Sequence, residues 1–157
     1  MGFFASLLKV LAGETINDGF GRHRLPRNWW KVEGFFPLAT GGHLEIVGES
    51  HFQDTFETVV GERWRGGVYW HVVAQIFFID DNPADPNAVG VMIEGMPAGY
   101  IPRDQANAIR TAILQANPER LPIICKGEII GGFVRGSKRG SYGLVLDVSQ
   151  PIRRKAR

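Results

Sequence analysis

The residues with the types for catalysis or metal binding are His23, His43, His51 and His71, the single cysteine Cys125, Ser50, and the acidic loop from Asp80 to Asn87. None of the histidines is spaced from another so as to place two imidazoles on one helix face, the usual way a short motif builds a metal site. One cysteine allows neither an internal disulfide nor a cysteine-based zinc site, and it points to a reducing, cytoplasmic setting. In the acidic loop the alternate positions Asp81, Pro83 and Asp85 put proline where a calcium ligand belongs. Ser50, within Gly48-Glu49-Ser50-His51-Phe52, lacks the closing glycine of a nucleophile elbow. The glycine-rich stretch from Gly127 to Gly132 runs into Phe133 instead of the lysine of a phosphate-binding loop. The motifs therefore predict a binding protein that is not an enzyme and has no cofactor. A metal cleft that gathers His43, His51 and Asp85 through tertiary folding stays open as a further possibility.

The elements that must position a binding surface can be read from periodicity and turn chemistry. The 157 residues, 44% hydrophobic and 22% charged, suit one ordinary domain with its own core. His43 to Val47 reads as a strand, and His51 to Val60 as a helix with Phe52, Phe56, Val59 and Val60 at helical spacing. Val68 to Ile79 is apolar on both faces, as a covered central strand should be. Asp80 to Asn87 (DDNPADPN) must be a loop, since proline fixes φ and Asn and Asp side chains bond back to the local backbone. Ala88–Ile93 and Ala98–Ile101 form a hairpin around Glu94-Gly95. Pro102 then opens a helix whose buried stripe is Ala106, Ile109, Ile113 and Leu114, stopped by Asn117-Pro118. Leu121–Val134 and Tyr142–Val148 are strands joined by the basic turn from Arg135 to Ser141, which contains Lys138 and Arg139. The predicted class is mainly β with flanking helices (α+β): a small OB-like barrel of about six strands with two or three helices.

Residues 1–40 read as an N-terminal extension, 41–149 as the domain and 150–157 as a basic C-terminal tail. Met1 to Leu11 is too short to span a bilayer and lacks a basic leader. Its Phe3–Leu11 part could form a short amphipathic helix, and Met1-Gly2 with Ser6 matches only loosely the pattern for myristoylation. Trp29 and Trp30, set among Arg24, Arg27 and Lys31, would either stack bases or pin the extension onto the domain. The net charge of +2 decides nothing, but its distribution is uneven. From Glu45 to Glu94 nine acids face only Arg63 and Arg65, whereas after Pro118 nine basic residues face Glu119, Glu128 and Asp147. Such a half is either a solvated face with a basic tail or a surface for phosphate-bearing partners.

Three segments taken in order, Ile46–Phe52 (IVGESHF), Asp81–Val91 (DNPADPNAVGV) and Ala98–Arg103 (AGYIPR), resemble the HIRAN domain. The resemblance covers residues 44–116 and extends toward Val148. It implies a modified OB-type barrel that binds DNA and grips the free 3′ end of a single strand, and an accessory factor that targets a helicase or nuclease in DNA repair. Short bacterial proteins carry this domain alone, which implies a bacterial cytosol or nucleoid. By position, the resemblance makes His51 and Phe52 the aromatic pair that stacks a terminal base. It makes Asn82, Asp85 and Asn87 the loop that shapes the end pocket, and Tyr100 and Arg103 the turn that meets phosphates. Ser50 stands where eukaryotic members carry arginine, and Ala84 where they carry an aromatic ring.

Each of these residues also has a purely structural reading. Asp85 and Asn87 would cap the turn, Tyr100 would fill the core, and Phe52 would anchor its helix. A ligand role is physically reasonable beside it: a flat ring stacks on any base, and a carboxylate accepts a bond from a sugar hydroxyl while repelling phosphate. The sequence thus predicts a non-catalytic module for single-stranded DNA or a free 3′ end, with Lys138 and Arg139 as added phosphate contacts. The competing expectation is a protein-interaction adaptor that recruits a nuclease or helicase after its own DNA pocket has decayed.

Overall fold

A computed structural model of the chain describes residues 13–17 and 20–156. The short helix and acylation pattern read from Met1 to Leu11 lie outside the described residues. The chain is mainly β, with strands β1 (Glu14–Asn17), β2 (Gly21–Arg24), β3 (Phe36–Pro37), β4 (Leu44–Glu45), β5 (Val68–Phe78), β6 (Val89–Ile93), β7 (Met96–Tyr100), β8 (Ile123–Gly131), β9 (Val134–Arg135), β10 (Lys138–Arg139) and β11 (Tyr142–Asp147). The α-helices among the described residues are α1 (Gln53–Val60) and α2 (Arg103–Ala116), and a 3-10 turn spans Glu49–His51.

β5 and β8 form the spine of the sheet, antiparallel from Val68↔Gly131 to Ile76↔Ile123. Their length lets each serve two neighbours. The first part of β5 takes β2 in parallel and its second part takes β6 antiparallel. β8 takes β11 antiparallel along its later residues and β3 in parallel at Ile123 and Ile124. The result is a mixed nine-stranded sheet whose main order is β1-β2-β5-β8-β11-β4, with β6-β7 branching from β5. β9 and β10 make a separate two-stranded ribbon, so Lys138 and Arg139 lie in a strand where the sequence predicted a turn.

Where a small OB-like barrel of about six strands was expected, the ladders form an open mixed sheet. The sheet is open between β4 and β7, and only the isolated bridge Val47↔Tyr100 spans that gap. β1, β2 and β3 add strands to the count, because residues before Gly41 join the same sheet. Phe36 and Leu38, at 2% and 0% exposure, belong to the main core, and Trp29 is buried with Phe35, Val73 and Ile124 in a second cluster. Trp29 therefore pins this segment down, as one of its two sequence readings proposed.

The helices bury one face each, as their apolar spacing dictates. α1 buries Thr55, Phe56 and Val60, and α2 buries Ala106, Ile109 and Ile113. Fully burying a ring such as Phe56 contributes about 2–3 kcal/mol. Leu114 is only half-buried, and Phe52 precedes α1 as its N-cap residue. The β6–β7 hairpin turns at Glu94 (φ 52) and Gly95 (φ 78), the left-handed pair a two-residue hairpin needs. No helix among the described residues is long and apolar enough to cross a membrane.

Candidate nucleic-acid interface

Two segments distant in sequence meet where β7 ends. Tyr100 N–H donates to the Val47 carbonyl at 2.8 Å, and Val47 N–H donates to the Tyr100 carbonyl at 2.9 Å. Gly99 permits this approach, since a Cβ there would lie 2.5 Å from Ile46 Cγ2 and 2.7 Å from Val47 O. Gly48, with φ 81, then turns the chain into the 3-10 turn, and a Cβ on it would sit 3.0 Å from the Tyr100 ring. The turn delivers Phe52 to Tyr100 with ring centroids 5.9 Å apart and a 57° tilt. His51 stands edge-on to Phe52 at 6.4 Å. His51 and Tyr100 are exposed and Phe52 is half-buried, so the group presents aromatic surface to solvent while staying anchored.

Glu49 and Gln53 hold that turn against β11. Gln53 Nε2 donates to the carbonyls of Glu49 and Tyr142, its Oε1 accepts from Tyr142 N–H at 2.8 Å, and Glu49 Oε2 accepts from Leu144 N–H. Sequence reasoning missed both residues. Their four-residue spacing at a helix start was the available signal, because it puts both on one side of the chain.

The 80–88 loop is shaped largely by its own side chains. Asn82 Oδ1 accepts from Ala84 N–H at 3.0 Å and Asp85 N–H at 3.3 Å, and Asp85 Oδ1 accepts from Asn87 N–H at 3.1 Å. These are Asx turns, so Asn82 and one oxygen of Asp85 carry the structural role their residue types allow. The other oxygen, Asp85 Oδ2, lies 4.0 Å from Arg103 Nε, and Arg103 Nη2 donates to Ala84 O at 3.3 Å. Arg103 is 79% exposed at its side chain against 21% for Asp85, so its guanidinium stays open to water with donors to spare. Asn87 is exposed, and it enters the turn through its backbone N–H.

Arg110, also unanticipated, staples the same loop. It pairs with Asp80, donates to Pro86 O at 3.5 Å, and places its guanidinium 4.8 Å from the Phe78 ring centroid. It follows Arg103 by two helical turns, so the two arginines share one face of α2.

The structure brings His51, Phe52 and Tyr100 into one group and Asn82, Asp85 and Arg103 into another, and Ile101-Pro102 joins them. Ser50 is exposed in the 3-10 turn beside His51. Lys138 and Arg139 are placed elsewhere. Arg139 lines a cavity of about 260 Å³ with Glu57, Gly61, Arg63 and Tyr142. That is the C-terminal end of α1, about 12 Å along the helix from Phe52. His43 and His51 do not converge with Asp85: His43 pairs with Glu45 at 3.7 Å, and no cluster of three metal-ligating side chains exists among the described residues.

Three titratable groups are perturbed, among them Tyr142, whose phenol burial holds above its ordinary value. Burial, reinforced by Lys126, holds the His71 imidazole below its ordinary value, although Glu128 lies 3.2 Å from it. Burial, and secondarily the Asp147 carboxylate, pushes the Cys125 thiol far up. Comparison with family models, with curated proteins and with solved structures returned no match.

Proposed function

We propose that this protein is a non-catalytic module that binds single-stranded DNA or a free strand end, and that it serves a nuclease or helicase as an accessory factor in the bacterial cytosol or nucleoid. The reading rests on the resemblance to the HIRAN domain, and the strands β4–β8 and β11 with the Val47–Tyr100 bridge are compatible with an opened OB-like barrel. The observation that carries it is an aromatic group, with His51 and Tyr100 exposed and Phe52 half-buried, that ends three residues along the chain from Arg103 and its exposed guanidinium. Rings stack bases without regard to sequence, and a guanidinium at a helix start pairs with phosphate. Asp85, beside that guanidinium, suits a terminal hydroxyl better than a terminal phosphate.

The adaptor reading has its own support. Asn82, Asp85 and Arg103 all make bonds within the loop, and Ala84 offers no ring. Competition binding by fluorescence anisotropy separates the two, using hydroxyl-ended and phosphate-ended strands of both polarities. Salt-sensitive binding that favours hydroxyl 3′ ends supports the DNA-end module. An absence of binding to every strand overturns it in favour of the adaptor.

A further inference from the structure

The basic tail and the tryptophan segment, read from sequence as separate features, form one concave site. The tail folds back on β3 and its continuation: Ala39 N–H donates to Arg153 O and Lys155 N–H to Pro37 O, each at 2.8 Å, and Leu38 bridges Arg154 in antiparallel fashion. This places the Arg154 guanidinium 5.1 Å from the Phe36 ring centroid and Lys155 Nζ 5.5 Å from the Trp30 ring. Lys31 Nζ lies 5.3 Å from the same ring. The resulting cavity, about 720 Å³, is lined by Trp30, Lys31, Phe35, Leu121, Arg154 and Lys155.

Its volume lies within the range of small-molecule sites. Glu33 and Glu119 also line it, yet neither forms an ion pair with Lys31, Arg154 or Lys155 among the described residues. The lining thus carries three cations against two carboxylates, with Lys155 Nζ also donating to the Thr40 hydroxyl at 3.4 Å, and this net positive charge favours an anion. The half-buried Trp30 indole beside them offers a flat ring a stacking partner, and both lysines can swing from the ring to a phosphate.

We propose that this cavity binds a nucleotide, with its base against Trp30 and its phosphate held by Lys31, Arg154 and Lys155. The site shares no residue with the interface around Phe52 and Arg103, and it does not depend on the function proposed there. A nucleotide could arrive free or as one link of a single strand, and the two sources share this chemistry.

The test is an NMR titration of the full chain that follows the Trp30 indole N–H, with AMP, ribose 5-phosphate, adenosine and a tetranucleotide as separate probes. AMP is expected to shift the Trp30 resonance at lower concentration than either adenosine or ribose 5-phosphate. Lys31→Gln, at an exposed position, and Lys155→Gln, at a half-buried one, should each weaken AMP on the order of tenfold. A shift with the tetranucleotide but not with AMP assigns the source to a strand. Three results would overturn the proposal: no Trp30 shift with either AMP or the tetranucleotide, ribose 5-phosphate matching AMP, or lysine variants that bind as the parent does. Because the readout is specific to Trp30, it is independent of whether DNA binds at Phe52.

Discussion

Tyr100 and Val47 exchange both backbone hydrogen bonds, at 2.8 and 2.9 Å, across the gap where the sheet is otherwise open. That exchange depends on a missing side chain next door. Gly99→Ala would place its Cβ against Ile46 and the Val47 carbonyl, and backbone cannot rotate away as a side-chain tip can. A loss of about 1–3 kcal/mol is expected, read as a lowered urea midpoint with unchanged slope. A stability equal to the parent's would show that this contact is slack.

Phe52→Ala should weaken a single strand by about 1–3 kcal/mol, the range for one lost base stack, while the half-buried position limits the cost to the fold. Anisotropy titrations with several homopolymers check it. The loss should be similar for every base.

Arg103→Gln should weaken all strands alike and reduce the slope of log K against log salt by about one phosphate's worth. A loss confined to particular sequences would contradict a phosphate contact.

Asp85→Asn keeps an oxygen for the Asn87 N–H and removes only the charge, whereas Asp85→Ala removes both. Denaturation should find the first within about 0.5 kcal/mol of the parent and the second lower by about 1 kcal/mol. If the carboxylate faces a strand end, Asp85→Asn also abolishes the preference for a terminal hydroxyl over a terminal phosphate.

His71 makes stability depend on pH. Burial and Lys126 favour the neutral imidazole in the folded state, so the unfolded chain binds more protons and stability rises with pH. The change falls between the lowered native value and the ordinary 6.5, and the penalty is complete below both. Urea midpoints from about pH 5 to about pH 8 should show this rise in the parent and a smaller one in His71→Gln.

The sequence announced its elements more clearly than their assembly. Val68–Phe78, α2 and the Glu94-Gly95 turn were legible because each depends on neighbours close in the chain: an unbroken apolar run, a 3.6-residue stripe, two left-handed residues. The Asn82–Asn87 turn was legible for the same reason. The fate of residues before Gly41 was not, since glycines and prolines hide any period, and Phe36 and Leu38 find their place only by pairing with residues far ahead. Lys138 and Arg139 are exposed, and no local rule could say that the length of α1 separates Arg139 from Phe52. Arg110 escaped because a long polar side chain on a helix has no signature until its target is known.

The two-sided use of β8 sets the pace at which the chain can assemble. The β6–β7 hairpin joins adjacent residues and can form within about 1–10 μs. By contrast, β3 must wait for β8, made from the other end of the chain, before Phe36 meets Ile123. Contacts of such long range close slowly, so the domain belongs with the β-rich proteins that fold in milliseconds to seconds. During that wait Phe36 and Leu38 face water, and the newly made chain is most open to aggregation before its last-born strands arrive.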